Sequence, residues 1–223
     1  MSMIDIETPA APARTEPESS KRRDIIDGAR KVFFEKGFDA ASMDEVAKAA
    51  SVSKATIYVY FNSKEELFEA LVHNDRARSA EHLFVVDPSI DDVASLLRRI
   101  GISFMTMMVQ PDHIRLVRMV MAVAERFPRV GRTFFEAGPC HGGQRLGELL
   151  RQQADLGRLA IDDDLAAAYV FFNLCQSNQV KGLLFGTEQQ PSPAQIEATV
   201  DRAVAIFLAY YGAEPVEKPA ARG

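Results

Sequence analysis

Lysines and hydroxyl-bearing side chains lie close together in the segment that follows Ser53. Lys54 comes first, Tyr58 and Tyr60 are two residues apart, and Lys64 ends the group. Ammonium groups and hydroxyls bind phosphates and the edges of bases, so this segment could contact a nucleic acid. Tyrosines with this spacing also occur on the half-buried surface of small three-helix packings. The spacing alone therefore leaves both interpretations open.

Two short helices are predicted around this segment. One begins after Ser42, whose hydroxyl can cap the free amides while Glu45 completes a capping box, and the next begins after Ser53 and ends near Phe61. A turn at residues 50–52 joins them. This length pattern is typical of a helix-turn-helix, which inserts its second helix into a major groove about 12 Å wide.

Two further helices are predicted to flank this pair. The first runs from about residue 21 to 36 and stops at Gly37. Its apolar stripe consists of Ile25, Ile26, Ala29, Val32 and Phe33. The other starts after residues 62–63, so that Lys64 lies in its first turn, where free backbone amides and the ammonium could bind a phosphate.

The helical repeat separates two faces of the second short helix. Ile57 and Phe61 lie four residues apart on a stripe that can pack inward, whereas Thr56 and Tyr58 point elsewhere. Ala55 permits close approach to DNA and can touch a thymine methyl group. The outward face is therefore small, polar and aromatic, as a base-reading face needs to be.

The residues from Ser42 to Leu67 closely resemble the signature of the TetR family of transcriptional regulators. The positions that match its pattern are Thr56, Tyr58, Tyr60, Phe61, Lys64 and Leu67. The resemblance covers about residues 21–71 and implies a DNA-binding surface. The residues assigned to that surface are Ser42, Ser53, Lys54, Ala55, Thr56, Tyr58, Tyr60 and Lys64, the last two mainly as phosphate ligands. Ser51 stands where many members have Gly, so a left-handed backbone there would be strained.

Composition and charge indicate an ordinary globular protein of 223 residues, 47% of them hydrophobic, with a net charge of −5. Residues 20–65 nevertheless hold nine lysines and arginines against seven acidic residues. No signal peptide or long apolar segment is found, so we expect a cytoplasmic protein. Cys140 and Cys175 are expected to be reduced structural thiols, and no metal site or cofactor is expected.

The whole chain is predicted to be all-α, because apolar residues recur at helical spacing and no alternating strand pattern is found. Residues 1–20 and 213–223 are predicted to be a disordered arm and tail, flanking a helix-turn-helix domain at 21–71 and a larger helical domain at 72–212. The predicted helices of the larger domain run from about 91 to 109, 112 to 126, 130 to 156, 162 to 185 and 193 to 211. Asp162 is expected to cap the fourth of these.

The larger domain resembles the ligand-binding domains of the AefR-like branch of the TetR family. The residues that carry this likeness are Glu125 to Pro128, Phe134 and Phe135, Gly138 and Pro139, and Gly157 with Asp162. The resemblance implies a pocket for a small molecule and a pair of helices that dimerise. Clustered aromatic and thioether side chains suit an apolar or aromatic ligand, although each could also belong to an ordinary core. The candidate ligand-binding residues are Phe104, Met105, Met108, Met119, Phe127, Phe134, Phe135 and Phe172.

Dimerisation is predicted through the last two helices, which could form a four-helix bundle with those of a second subunit. The residues assigned to this interface are Leu165, Ala168, Phe172, Cys175, Ile196, Val200, Val204 and Phe207. His113 and His141 are expected at the surface or in loops. A two-fold dimer would read half-sites about 34 Å apart in a palindromic operator.

These patterns together predict a ligand-responsive repressor that binds duplex DNA as a homodimer, has a small apolar effector and has no membrane partner. An activator role depends on where the operator lies. Two rivals are a helical adaptor that binds a protein partner and an all-α enzyme. The enzyme is disfavoured because no nucleophile motif, zinc motif or glycine-rich phosphate loop is found, so no catalytic residue is assigned.

Overall fold

The computed structural model describes residues 16–84 and 92–213, and over these residues the chain is helical. The α-helices are α1 (Glu16–Ala40), α2 (Met43–Ala49), α3 (Lys54–Tyr60), α4 (Lys64–Leu83), α5 (Val93–Met108), α6 (Pro111–Ala124), α7 (Pro128–Phe135), α8 (His141–Asp155), α9 (Asp164–Gln176), α10 (Gln179–Phe185) and α11 (Pro193–Tyr211). A π-helical turn, Glu136–Cys140, lies between α7 and α8. The predicted all-α class is confirmed.

The predicted arm and tail lie mostly outside the described residues, which begin at Glu16 and end at residue 213. Residues 16–20 belong to α1, so the predicted boundary of the arm at residue 20 is wrong. The sole backbone pairing of β type in the described part of the chain is a bridge between Leu159 and Gly212. It ties the loop after α8 to the end of α11.

The described residues divide into two compact units, one ending at Leu67 and the other beginning at Phe68. In the first unit, α1 packs on α2 and α2 on α3. The predicted stripe of α1 is buried, and Ile57 and Phe61 are buried with it. Helical geometry stops at Gly37, where φ is +81°, a backbone conformation that glycine adopts without steric cost.

The second unit is built around α5, α9 and α11, which pack on one another, while α8 packs on α9. Phe171 and Phe207 meet edge to face, with their ring centroids 5.5 Å apart, in the middle of this core. Its cohesion comes from burial of apolar side chains of these helices, which is the main favourable term in folding.

Two long helices predicted for this unit are divided in the structure. The stretch expected as one helix from 130 to 156 comprises α7, the π turn and α8, because Pro139 has no N–H to continue the α-helical hydrogen bonds. The stretch expected from 162 to 185 is broken at Ser177, where φ is +46°. The N-cap of α9 is Asp163, whose carboxylate accepts a hydrogen bond from Ala166 N at 2.9 Å, so the assignment of that cap to Asp162 is wrong.

Candidate functional site

The outward face of α3 is formed by residues on the side opposite the buried Ile57. Lys54 and Ala55 are exposed, and Tyr58 keeps 46% of its surface in solvent. Thr56 and Tyr60 are half-buried at the edges of this face. The structure therefore brings together the side chains that the sequence assigned to base contact, on one exposed surface of a short helix.

Val59 belongs to the same face but was missed by the sequence analysis. It lies four residues after Ala55, one helical turn along the same stripe, and is 78% exposed. An apolar side chain so exposed on a small helix offers a methyl-rich surface suited to a thymine methyl group. The i,i+4 spacing from Ala55 is the signal that could have identified it.

The ammonium group of Lys54 has an acidic neighbour. Its Nζ lies 3.0 Å from a carboxylate oxygen of Asp44 on α2, and this hydrogen bond and charge raise the pKa of Lys54. Both side chains are exposed, so the pair adds little stability. It places the Lys54 ammonium beside a carboxylate at the start of α3.

Ser42 and Ser53 serve as helix caps in the structure. The Ser53 hydroxyl accepts from Thr56 N at 3.0 Å. The predicted capping box is confirmed, since Ser42 Oγ accepts from Glu45 N at 3.3 Å and the Glu45 carboxylate accepts from Ser42 N at 3.0 Å. Hydrogen bonds from Lys36 and then Ser42 lower the pKa of Glu45 to about 2. These contacts fix the direction in which α2 and α3 begin.

Lys64 occupies a different place from the predicted phosphate site. Its Nζ donates to the carbonyl oxygens of Phe38, Asp39 and Ala41 at 2.8, 3.2 and 3.0 Å, and it also lies 4.6 Å from the centroid of the Phe38 ring. An ammonium group has three hydrogens, and three carbonyls accept them. Lys64 therefore anchors the end of α1 and the loop that follows it, and its assignment to phosphate binding is replaced by this structural role.

A cavity of about 390 Å³ lies inside the second unit. This volume is within the range of about 300–1,000 Å³ that is usual for small-molecule sites. Its walls come from α4, α5, α7, the π turn, α8 and α9. The lining residues are Arg76, Leu83, Phe104, Met107, Met108, Phe135, Gly138, Pro139, Gly142, Tyr169, Phe172, Asn173 and Gln176. The lining is mainly apolar, with polar groups at a few points.

Four of the eight predicted ligand-binding residues line this cavity, namely Phe104, Met108, Phe135 and Phe172. The other four do not. Met105 and Met119 are buried among helices, Phe127 precedes α7, and Phe134 packs against the Arg76 guanidinium at 5.1 Å. Clustering of Met and Phe thus indicated a region that contains a cavity, but helical spacing could not decide which side of each helix faces it.

Arg76 is the charged residue of the cavity wall, and only 4% of it is exposed. One guanidinium nitrogen, Nη2, lies 2.5 Å from the Asp75 carboxylate, and Nη1 lies 2.9 Å from Nδ1 of His113. Nε has no hydrogen-bond partner among the described residues. An arginine cannot accept a hydrogen bond, so Nδ1 of His113 is the acceptor.

Burial of His113 corrects the expectation that this residue is at the surface. Burial, and then the neighbouring positive charge of Arg76, lower the pKa of His113 to about 3, against the weaker opposing effect of Asp75. The ring is therefore neutral at physiological pH. His141 is exposed, as expected.

Seven of the eight residues assigned to the dimer interface lie instead in the core of their own subunit. They are Ala168, Phe172, Cys175, Ile196, Val200, Val204 and Phe207. A side chain enclosed by its own subunit has no surface left for a partner. Burial also raises the pKa of the Cys175 thiol to about 12, so this cysteine is inert. Only Leu165 of that set is exposed.

A different set of apolar side chains on these helices is exposed. Val170 on α9, with Ile206 and Tyr210 on α11, are between 41% and 79% exposed. No group of three or more metal-ligating side chains is found in residues 16–84 and 92–213. Over the same residues, no helix is long and apolar enough to cross a membrane.

Comparison with protein families gives matches in both units. The family described as bacterial regulatory proteins, tetR family, matches residues 25–71, and the AefR-like transcriptional repressor C-terminal domain matches residues 95–213. The second match alone covers more than half of the chain.

Individual proteins give the same picture. The regulator UidR of Escherichia coli K12 is 33% identical over 101 residues, which are 42% of this chain and 47% of UidR, so this chain spans about half the length of that relative. The repressor Rv1474c of Mycobacterium tuberculosis H37Rv is 27% identical over 187 residues, covering 82% of this chain and 90% of the repressor.

Two solved structures extend the likeness over the full fold. A putative TetR-family regulator from Mesorhizobium loti is 26% identical with a TM-score of 0.83, covering 89% of this chain and all of the other. The flavonoid-responsive regulator FrrA is 30% identical with a TM-score of 0.75, covering 87% of this chain and 98% of FrrA.

Proposed function

Because this chain belongs to the TetR family of bacterial regulatory proteins, with an AefR-like C-terminal domain, we propose that it is a repressor released from DNA by a small molecule. It is a transcriptional regulator and not an enzyme. The observation that carries the proposal is the exposed face of α3, with Ala55, Tyr58 and Val59, in the same chain as a mainly apolar cavity. We place its action in the cytoplasm, where its operator would be.

The DNA-binding part of the proposal rests on the chemistry of α3. Lys54 supplies a cation and Tyr58 a hydroxyl, while Ala55 and Val59 supply methyl groups at the centre of the face. Phosphate contacts fix the position of a protein on DNA, and contacts to base edges and thymine methyl groups determine the sequence that it binds. We propose that Val59 and Ala55 favour thymine in the operator.

Selection of bound duplexes from a random library, followed by gel shifts on the selected sequence, tests this part. We expect a palindrome with half-sites about 34 Å apart, in which Tyr58→Ala abolishes specific binding. Met121→Ala is the matched control, because Met121 is 66% exposed but lies on α6. Failure to enrich any palindrome, or unchanged affinity of Tyr58→Ala, contradicts the proposal and favours a protein-binding adaptor.

We also propose that the chain dimerises through the outward faces of α9 and α11. Val170, Ile206 and Tyr210 are apolar and exposed there, and large exposed apolar patches usually mark interaction sites. A two-fold pairing of these helices would form a four-helix bundle and bury the patch.

Sedimentation of point variants tests the dimer. Ile206→Asp places a charge in the proposed interface and should shift the protein to monomers, with loss of operator binding. Met121→Asp introduces the same charge at an exposed apolar position on another helix and should leave the dimer intact. A monomeric parent protein, or an Ile206→Asp variant that remains dimeric, excludes this interface.

For the effector, we propose an apolar aromatic molecule that occupies the cavity. The ring centroids of Phe104 and Phe172 lie 4.4 Å apart in its wall, and FrrA is described as flavonoid-responsive. Arg76 and Leu83 on α4 line the cavity, and α4 begins at Lys64 in the DNA-binding unit. A ligand that shifts α4 can therefore lower the affinity for DNA, and by linkage DNA lowers the affinity for the ligand by the same factor.

Release of operator DNA by flavone tests the effector class. We expect flavone to release DNA from the parent protein but not from Gly142→Met, which fills the cavity. A side chain is sterically admitted at Gly142, because an added Cβ there would have its nearest neighbour, a ring atom of Phe172, at 3.9 Å. Failure of flavone to release DNA from the parent protein contradicts the assigned effector class.

A further inference from the structure

One nitrogen of the buried Arg76 guanidinium, Nε, has no hydrogen-bond partner among the described residues. Nη2 pairs with Asp75 and Nη1 with His113. Arg76 is also part of the cavity wall. A buried donor without an acceptor is costly and rare in folded proteins. A ligand in the cavity that offers an oxygen or nitrogen acceptor could satisfy this donor.

The Arg76 side chain is packed on two sides. The Phe134 ring lies 5.1 Å from the guanidinium carbon, and a Cβ added at Gly138 would lie 3.1 Å from Cδ of Arg76. Gly138 belongs to the π-helical turn, so the turn packs on the stem of the arginine. These contacts restrain Arg76 within the cavity wall.

Among the described residues at the cavity wall, the charges cancel. Arg76 is positive, Asp75 is its carboxylate partner at 2.5 Å, and His113 is neutral because burial lowers its pKa. The other lining residues carry no ionisable acid or base apart from the Tyr169 hydroxyl, whose pKa is raised, first by burial and then by Cys140, so that it stays protonated. Among the described residues, an anion in the cavity would meet a cation, Arg76, that already has a counter-ion in Asp75.

We propose that the effector of this regulator is an uncharged aromatic molecule whose carbonyl oxygen accepts a hydrogen bond from Nε of Arg76. The inference rests on the proposed function, since it takes the cavity as the effector site. A hydrocarbon of the same shape leaves the donor unmet, and a carboxylate adds a negative charge next to Asp75 in a mainly apolar enclosure. A carbonyl group satisfies the donor without adding charge.

Three tricyclic probes of matched shape separate these possibilities by equilibrium dialysis at pH 7.5. Xanthone carries the carbonyl group, xanthene has a methylene in its place, and xanthene-9-carboxylate carries an anion. We expect xanthone to bind at least about tenfold more tightly than either of the others, the usual effect of one hydrogen bond to a charged group. Equal binding of xanthone and xanthene, tighter binding of the carboxylate, or no binding of xanthone overturns the proposal.

Two variants identify the donor. Arg76→Lys keeps a cation for Asp75 but has no Nε–H, and it should reduce the preference for xanthone over xanthene to about twofold or less. Asn173→Leu removes another polar group of the lining and should keep the preference. A preference that survives in Arg76→Lys and is lost in Asn173→Leu assigns the contact to Asn173 and overturns the proposal. The preference of the parent protein is measured without a variant, so a poorly folded Arg76→Lys does not obscure the result.

Gel shifts on the selected operator distinguish failure of this inference from failure of the proposed function. Xanthone that binds with the expected preference but does not release DNA contradicts effector control by the cavity, while the ligand chemistry of the cavity stands. DNA release by xanthene-9-carboxylate but not by xanthone contradicts the inference about the ligand chemistry and leaves the proposed function standing. The regulator is then ligand-responsive, but its effector is an anion.

Discussion

Nη1 of Arg76 lies 2.9 Å from Nδ1 of His113, and both side chains are buried. The contact requires a neutral imidazole with its proton on Nε2, because protonation of Nδ1 would set two donors against each other. Nε2 has no partner among the described residues. The pair therefore links the ligand cavity to α6 through a hydrogen bond that exists only while His113 is uncharged.

This pair predicts a loss of stability in acid. The pKa of His113 is about 3 in the folded protein against an ordinary value of 6.5, so between these values the unfolded chain binds a proton that the folded chain does not. The free energy of unfolding should then fall by about 2 kcal/mol from this residue between pH 7 and pH 5. Urea unfolding at both pH values measures the change.

His113→Asn should reduce this pH dependence, because its amide oxygen can accept from Arg76 but does not titrate near neutral pH. His141→Asn is the control, since His141 is exposed and should leave the dependence as in the parent protein. An equal loss of stability in the parent protein and His113→Asn between pH 7 and pH 5 excludes His113 as its source.

Substitution of Lys64 tests whether this residue has a structural role or binds a phosphate. Lys64→Met removes three hydrogen bonds to carbonyl oxygens and should destabilise the DNA-binding unit by about 1–3 kcal/mol. The salt dependence of operator binding should keep its slope, whereas loss of a phosphate contact lowers the slope by about one. Lys31→Met, at an exposed position on α1, is the control for stability. A reduced slope with unchanged stability would restore the phosphate assignment.

The close approach of α1 to the turn after α2 depends on Gly28. A Cβ at this position would lie 2.7 Å from both the backbone N and the Cβ of Ala50, where only a backbone shift relieves the overlap. Gly28→Ala should therefore lower the unfolding free energy by about 1–3 kcal/mol. Gly142→Ala, also within a helix but without a close neighbour, should be neutral or stabilising by up to about 1 kcal/mol. Equal stability of the two variants would contradict the close approach.

Ser51 in the turn between α2 and α3 has φ of +55°, a left-handed conformation at the position where many members of the family have Gly. A residue with a side chain is strained in this region and glycine is not, so Ser51→Gly should stabilise the chain by about 0.5–1 kcal/mol. Ala50→Gly is the neighbouring control. Its φ is −87°, so glycine there should destabilise through the larger entropy of the unfolded chain. Thermal unfolding measures the stability of both variants relative to the parent protein. A Ser51→Gly variant that is less stable than the parent protein contradicts backbone strain at Ser51.

Local features were predictable because they depend on residues close together in the chain. The capping box of Ser42 and Glu45 and the inward stripe of α3 involve neighbours within about one turn. The family resemblance added the expected role of the outward face. Val59 was missed although the same spacing rule places it beside Ala55, and Lys64 was misplaced because its three acceptors lie 23 to 26 residues earlier.

The choice between two apolar faces was beyond the sequence. Helix α11 has one stripe with Val204 and Phe207 that packs in its own subunit, and another with Ile206 and Tyr210 that is exposed. Both stripes are apolar at helical spacing, and the outer one is the face that we propose as the dimer interface. Periodicity detects each stripe equally well, and only packing against α5 and α9 identifies the inner one.

By itself, then, the sequence determined the helical class, the caps of α2 and α3 and the outward face of α3, since these follow from the helical repeat and from hydrogen bonds between near neighbours. Only the tertiary structure decided where the cavity lies and that Arg76, Asp75 and His113 form one neutral group beside it. Arg76 and His113 are 37 residues apart, and their meeting depends on how α4 and α6 pack. No local pattern encodes that contact, because burial and charge pairing are properties of the assembled helices.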